Sequence, residues 1–348
     1  MKRISSIELL RFISALMIVV WHYQHFYLPY NFASEVNFVP GEQPFSGILK
    51  FLYEYGGRGV EIFFVISGFI FSYVYINSKN ISTYKFFKRR FARLYPLHFL
   101  TLLIVLALQN YSISNFDNYF VNEINDLYHF FLNIFLISGL GFQEGPSFNG
   151  VIWSVSIEIL AYIIFFIFIL KISNFKILNT ILLLLFFLCL YKIVWLKDQI
   201  FEFLSFDERI IYCCILFFEG VLIYFINNKI NNKFYIFLLG SFLLVLSLIG
   251  NMKWLIFIPS LILIFLSFEN IINDRLRPIF NFLGDLTYGM YLWHLPVEIF
   301  IMITLLKTDY SMSIFLNPLF LIFHVLIVII ISIVGYLYYE KKLRNLLR

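Results

Sequence analysis

Arg11 and His22 lie eleven residues apart in an apolar segment of membrane length, Glu8 to Leu28. Eleven residues of α-helix advance about 16 Å and return to within about 20° of the same face, so both side chains point the same way. An arginine inside a membrane helix costs at least about 2.5 to 3.5 kcal/mol and usually faces a bundle interior or a watery cavity. An imidazole can take a proton from a hydroxyl group and pass it to a leaving group. The helix face that carries Arg11 and His22 is therefore a candidate functional site, although His22 taken alone is better explained as an interfacial histidine hydrogen-bonded near the outer headgroups.

His25 follows His22 by one helical turn, and we interpret it as an interfacial residue rather than a catalytic one. The two histidines have the spacing of metal ligands, but the sequence offers no convincing carboxylate or cysteine partner, so we predict no metal site. The cysteines lie in apolar segments without metal-ligand spacing and indicate small core residues, not a disulfide framework. They are Cys189, Cys213 and Cys214.

A carboxylate, Glu158, stands inside a later apolar segment, one turn after Ser154 and on the same helix face. A carboxylate within a membrane must be paired or protonated. It can orient an imidazole or contact an acceptor; alternatively, it is a structural partner of Arg11 or of another buried cation. We favour the functional interpretation.

Polar residues recur at three- and four-residue spacing near the C-terminal end of the chain, around Pro296. This pattern places them on one helix face. They either line an acceptor cavity or form hydrogen bonds between helices, and the sequence supports both interpretations equally. They are Tyr288, Tyr291, His294 and Glu298.

Arg89, Arg90 and Arg93 belong to the densest basic run of the chain, from Lys79 to Arg93. Guanidinium groups suit phosphate oxygens such as those of coenzyme A. The same run also fits the positive-inside rule and the attraction of anionic lipid headgroups. From the residues alone the second interpretation is favoured.

The amino-acid composition indicates that the protein that positions these groups is a membrane protein. Hydrophobic residues make up 61% of the 348 residues, charged residues make up 14%, and the mean hydropathy is +0.85. Such a chain cannot cover a soluble globule with a polar surface. We predict an all-α polytopic integral membrane protein. The net charge of +5 follows membrane topology and gives no indication of nucleic-acid binding.

Hydropathy predicts about ten transmembrane helices. The apolar stretch 127–140 is too short for a confident span, and we expect it to be interfacial or re-entrant. The loop before about Lys50 contains no predicted span, and Tyr95-Pro96 separates the basic run from the third span. The predicted spans are 8–28, 60–77, 97–109, 151–170, 177–196, 208–226, 234–250, 254–270, 286–306 and 315–339.

With ten spans, both termini share one side of the membrane with the basic run. That side carries 18 of the 26 Lys and Arg residues. The positive-inside rule therefore predicts cytoplasmic N- and C-termini. If 127–140 crossed the membrane, the orientation of everything after it would reverse.

Six motifs in order resemble the membrane acyltransferase family three, which includes bacterial O-antigen, exopolysaccharide and peptidoglycan O-acetyltransferases. They cover essentially the whole chain. One departure is visible, because Glu158 is followed by Ile159 to Tyr162 where the family often has a second acidic residue, Gln, Phe and Tyr. The motifs are IELLRF with VWH (7–12, 20–22), GVEIFFVISGF (59–69), FFKRRFARLYP (86–96), WSVSIE (153–158), LGDLTYGMYLWH (283–294) and Tyr339-Glu340.

The resemblance implies a general-base role for His22 and a supporting role for Arg11. It also points to Arg90 and Arg93, the Arg-x-x-Arg pair, as the residues that bind the donor, with Arg89 beside them. We add Glu158 as a third candidate catalytic residue. For substrate binding the candidates are Trp153, Ser154, Tyr291 and His294.

We therefore expect one membrane acyltransferase domain over residues 1–348, without an appended soluble domain, in the bacterial inner membrane. Acetyl-CoA is the expected donor, a hydroxyl of a surface glycan or a lipid-linked precursor is the expected acceptor, and membrane lipids surround the protein. The alternatives are a transporter or flippase of a lipid-linked glycan and an acyltransferase acting on a small molecule.

Overall fold

The computed structural model describes residues 3–27, 41–78, 82–171, 175–197, 207–249, 253–308 and 312–347, and all regular structure in these ranges is helical. The predicted end of the first span at Leu28 and the start of the basic run at Lys79 fall outside them. The α-helices are α1 Ser5–His22, α2 Ser46–Tyr55, α3 Gly59–Tyr75, α4 Thr83–Phe116, α5 Leu127–Ile134, α6 Trp153–Lys171, α7 Ile177–Lys197, α8 Glu208–Lys229, α9 Lys233–Ser247, α10 Lys253–Ser267, α11 Arg277–Lys307, α12 Pro318–Gly335 and α13 Lys341–Leu346.

The all-α polytopic membrane fold is confirmed. Across the described ranges, nine helical segments are long and apolar enough to cross a membrane, and the shorter apolar helix α9 (Lys233–Ser247) corresponds to the remaining predicted span. Helix α5 has eight residues, too few to cross a bilayer. This length agrees with the interfacial or re-entrant placement expected for 127–140.

Several helix boundaries differ from the sequence-based prediction; helix α11, for example, starts at Arg277 instead of 286. Helix α2 starts at Ser46, inside the predicted loop, and leads through a short 3₁₀ turn into α3. Helix α4 runs through Pro96, so the basic residues begin the third membrane helix instead of preceding it. Beside the proline, Tyr288 donates to the carbonyl of Leu94 at 2.7 Å and Tyr339 donates to that of Pro96 at 3.1 Å. Hydroxyls from two other segments thus bond to backbone carbonyls of α4 beside the proline.

Both ends of the described chain meet at one end of the bundle, which we call the terminal end. Arg3 and Tyr336 each donate to the carboxylate of Asp285 at 2.9 Å. Tyr339 reaches Pro96 of α4, so the basic start of α4 lies at this end too. The opposite end carries Arg58, near the start of α3. Assignment of the terminal end to the cytoplasm stays a prediction.

Helices α1 and α11 form the centre that positions the site. Helix α1 packs on α3 and α11, while α11 also packs on α4 and α12. The segment between α4 and α6 is fastened to this centre by Asn149, whose side chain donates to the carbonyl of Leu292 at 3.0 Å and to Thr101 at 3.2 Å. In the same segment Asp126 caps α5, and the His129 backbone N–H holds the pKa of that carboxyl below its ordinary value. The connection that leads into α6 is therefore fixed.

Glycines bring α3 and α8 into close contact. A Cβ added to Gly68 would lie 1.8 Å from the carbonyl oxygen of Phe217, and one added to Gly220 would lie 1.9 Å from that of Val65. Small residues at such crossings let helix backbones approach each other in membranes. Gly68 therefore serves the close packing of α3 against α8.

Gly68→Ala is expected to lower the free energy of unfolding by about 1 to 3 kcal/mol, because α3 and α8 must separate to admit the methyl group. Thermal unfolding in detergent measures the effect. The control is Gly47→Ala in α2, where an added Cβ meets no atom within 4 Å. Equal unfolding temperatures for the two variants would contradict the packing role of Gly68.

Candidate active site

A narrow cavity of about 80 Å³ lies between α1, α3, α4, α6 and α11, and we call it the central cavity. It brings together side chains from five of the six sequence motifs. Seven residues singled out in the sequence line it, together with others that the sequence did not indicate. Its polar lining consists of Arg11, Ser67, Arg90, Arg93, Ser154, Glu158, Tyr162, Thr287, Tyr288 and Tyr291.

Arg11 is held by a neighbouring turn of its own helix and by α11. Its guanidinium donates to Glu8 at 2.9 Å and to Thr287 at 3.1 Å, and Glu8 also pairs with Arg3 at 3.1 Å. Both members of the Glu8–Arg11 pair are buried. The alternative in which Glu158 pairs with Arg11 is therefore wrong, because a carboxylate three residues away on the same helix takes that place.

Glu158 receives hydrogen bonds on one carboxylate oxygen only. Ser67 donates to Oε1 at 2.5 Å, and the Tyr162 hydroxyl donates to the same atom. Oε2 forms no hydrogen bond with any residue in the described ranges. Ser67, the neighbour of Gly68 on α3, thus belongs to this hydrogen-bond network. Glu158 thus keeps an acceptor oxygen beside the cavity.

Arg90 and Arg93 differ from the arginines held by carboxylates. Neither forms a hydrogen bond or an ion pair with another residue that the structure describes, although both line the central cavity. The guanidinium of Arg90 stacks over Phe71 at 4.0 Å and over Tyr162 at 5.1 Å. Arg89 is exposed and does not line the cavity. The structure therefore brings two of the three basic candidates to the site.

Ser154 and Tyr291 form one wall of the central cavity. The Tyr291 hydroxyl donates to the carbonyl of Val151 at 2.6 Å, and the hydroxyl oxygens of Ser154 and Tyr291 lie 2.7 Å apart in a hydrogen bond. Their neighbour Trp153 does not line this cavity and faces another one near the opposite end. Three of the four predicted substrate-binding residues are thus divided between two cavities, and His294 lines neither of them.

His22 lies one layer beyond this wall. The ring of Tyr291 is 6.0 Å from that of His294, which is 4.6 Å from that of His22. The Nδ1 atom of His22 lies 3.0 Å from the carbonyl oxygen of Ile18, and a carbonyl only accepts hydrogen bonds. Nδ1 therefore carries the proton, and Nε2 keeps a basic lone pair.

His25 has a buried carboxylate partner that the sequence did not indicate. Its Nδ1 atom lies 2.8 Å from Oε2 of Glu298, which is fully buried, and its ring is 5.0 Å from that of His22. Oε1 of Glu298 lies 3.8 Å from Nε2 of His324. Glu298 therefore lies beside two members of a histidine cluster, His25 and His324. The cluster consists of His22, His25, His294 and His324. No cluster of three or more His, Cys, Asp or Glu side chains in the described ranges is arranged to hold a metal ion.

Two wider cavities flank the central one. The terminal cavity, about 440 Å³, shares Arg11, Arg93 and Tyr288 with it and is also lined by Arg344. The opposite cavity, about 470 Å³, shares Val60 with the central cavity. The three spaces follow one another from the terminal end of the bundle toward the opposite end.

The comparisons with known proteins agree with the motifs. A family model described as an acyltransferase domain matches residues 4–337. A relative from Rhizobium radiobacter, described as protein 2 in the picA locus, is 29% identical over 165 residues, which are 44% of this chain and 73% of the relative. No solved structure matches the chain significantly. Because the family model covers nearly the whole chain, the chain belongs to this acyltransferase family and is a multi-pass membrane acyltransferase.

Proposed function

We propose that the protein transfers an acetyl group from acetyl-CoA to a hydroxyl of a cell-surface polysaccharide, O-antigen or lipid-linked glycan precursor in the bacterial inner membrane. The observation that carries this proposal is the order of the cavities. Arginines without ion partners line the central cavity toward the terminal end, and the histidine cluster lies beyond its far wall. Donor and acceptor can therefore approach one reaction centre from the two ends of the bundle.

The donor occupies the terminal and central cavities in this proposal. The nucleotide of acetyl-CoA carries phosphates, and guanidinium groups without carboxylate partners suit them. Arg93 lines both cavities, so it can bind a phosphate at the place where they meet. The central cavity is much narrower than the terminal one and suits the slender pantetheine arm. The free oxygen of Glu158 can accept an amide N–H from this arm or a hydroxyl of the acceptor.

His22 is the proposed general base. Its Nε2 atom takes the proton of the acceptor hydroxyl while the hydroxyl oxygen attacks the thioester carbonyl. A carbon–oxygen bond forms, the carbon–sulfur bond breaks, and the proton passes from His22 to the leaving thiolate of coenzyme A. Arg11 lies about 16 Å from His22 along α1, and it supports the reaction at the donor end, where it lines the central and terminal cavities.

The proposal is tested with purified protein in liposomes that are given radiolabelled acetyl-CoA and the alkali-treated surface glycan of the cells that carry this protein. Formation of alkali-labile, labelled ester on the glycan is the expected result. A transporter or flippase would give no ester and no thioester cleavage, so the absence of both would overturn the enzyme assignment.

Arg93→Ala is expected to raise the KM for acetyl-CoA by about tenfold, because one charge-assisted hydrogen bond to phosphate is lost. The matched control is Arg89→Ala, four residues earlier on α4, where the side chain is exposed. Initial rates over a range of acetyl-CoA concentrations give both KM values. Equal increases for the two variants would show that the basic run acts through its general charge and not through a defined site.

A further inference from the structure

The opposite cavity lies where α3, α6, α8 and α10 begin and α7 ends, and its lining has two features. Aromatic side chains form part of the wall, and the charged groups beside them include both cations and anions. The aromatic members are Trp153, Tyr191, Tyr212 and Trp254. Flat aromatic faces with polar groups at their edges can bury the apolar side of a ligand and bond its polar side.

Tyr191 is the aromatic side chain most suited to receive a ligand. It is half-buried, its ring lies 6.0 Å from that of Tyr212, and its hydroxyl makes no hydrogen bond with the described part of the chain. The hydroxyl of Tyr212, by contrast, already donates to Glu61 at 3.2 Å. Trp254 already lies below the guanidinium of Arg58, whose carbon is 5.0 Å from the ring centre. Tyr191 therefore offers both a ring and a free hydroxyl to the cavity.

The charges of the opposite cavity compensate one another. Arg58 forms an ion pair with Glu61, and Arg209 pairs with Asp207 at 2.6 Å. Lys253 and Glu208 also line the cavity, carry opposite charges and form no ion pair among the described residues, and the ammonium of Lys253 lies 5.7 Å from the centre of the Trp254 ring. To reach Arg58 or Arg209, a phosphate or carboxylate would have to displace an existing carboxylate, whereas a neutral ligand rich in hydroxyls can use donors and acceptors together. This differs from the central cavity, where Arg90 and Arg93 lack ion partners among the described residues.

The opposite cavity is also close to the proposed base. Gly57 in its wall lies against Trp21, since a Cβ at Gly57 would be 3.3 Å from the indole. The ring of Trp21 is 4.7 Å from that of His22. The opposite cavity is therefore separated from His22 by Gly57 and Trp21.

From aromatic lining, compensated charge and proximity to His22, we infer that the opposite cavity binds a neutral sugar residue of the glycan acceptor. This inference rests on the proposed acyl transfer and names the site and the chemical class of its second substrate. Tyr191 contributes the stacking surface. The paired groups Arg58–Glu61 and Arg209–Asp207 contribute donors and acceptors for sugar hydroxyls.

Direct binding tests the inference without acetyl-CoA. The probe is a neutral oligosaccharide fraction from the alkali-treated surface glycan, and saturation-transfer NMR measures its Kd for detergent-solubilised protein. Tyr191→Ala is expected to raise the Kd by about tenfold, and Tyr191→Phe, which keeps the ring, is expected to raise it much less. The control is Tyr235→Ala on α9, an exposed tyrosine outside the cavity.

Three results would overturn the inference: no binding of the neutral probe to the wild type, an unchanged Kd for Tyr191→Ala, or tighter binding of the acidic oligosaccharide fraction that weakens in 0.5 M NaCl. A different result would show that the proposed acyl transfer is wrong while the sugar site is right. If the neutral probe binds as expected but receives no acetyl group from acetyl-CoA, the sugar site stands and the acyl-transfer reaction is wrong.

Discussion

Replacing His22 by alanine is expected to lower the rate of acyl transfer by about 10²- to 10⁴-fold, the range for loss of a general base. The donor KM should stay close to that of the wild type, because the phosphate-binding arginines lie elsewhere. We expect the loss of rate because the hydrogen bond from Nδ1–H of His22 to the carbonyl of Ile18 leaves Nε2 free to take a proton. Initial rates with purified protein in liposomes measure the loss.

The same experiment has to distinguish two adjacent histidines. His25 is the main alternative to His22 as the general base. Its Nδ1 lies 2.8 Å from the carboxylate of Glu298, and this arrangement also leaves Nε2 free. We expect His25→Ala to keep at least about a tenth of the activity, as for a positioning residue. If His22→Ala is fully active and His25→Ala is not, the base is His25 and the assignment to His22 is wrong.

Replacing Glu8 by alanine is expected to destabilise the protein by about 3 to 5 kcal/mol, because Arg11 then remains charged and buried without its carboxylate. The loss of the Arg3 contact adds little, since Arg3 is partly exposed and the surrounding water screens its charge. The midpoint of thermal unfolding in detergent measures the change.

A double variant separates stability from function at this pair. Glu8→Leu with Arg11→Met removes both charges, and replacing both members of a buried ion pair with apolar residues is often neutral or stabilising. We expect the double variant to recover the unfolding temperature while its acyl-transfer rate stays low. Recovery of both properties would show that Arg11 has only a structural role.

Sequence patterns identified the fold because membrane helices depend mainly on length and apolarity. The predicted spans match the helices except where tertiary contacts decide a boundary. Pro96 is an example of a boundary that sequence patterns do not predict. A proline predicts a break from local sterics, but the hydroxyls of Tyr288 and Tyr339 come from distant parts of the chain and stabilise the continuous α4 helix. The sequence alone does not show which residues will reach those carbonyls.

The site was predictable where its residues share one helix. The spacing of Arg11 and His22 placed both on the inner face of α1, and the position of Glu8 three residues before Arg11 was a visible signal for its partner. Contacts across helices were not visible, such as the bond from Ser67 to Glu158 and the pairing of His25 with Glu298. These contacts depend on how the helices rotate and pack.

The central claim is that an acetyl group passes through the bundle from a donor at the terminal end to an acceptor at the opposite end. The most direct measurement uses proteoliposomes with the protein in one orientation, labelled acetyl-CoA outside at the terminal end, and neutral surface oligosaccharide trapped inside. Acetyl-CoA does not cross the bilayer by itself. The account predicts labelled ester on the trapped oligosaccharide, lost in His22→Ala. Label that appears only when donor and acceptor are on the same side of the membrane would contradict it.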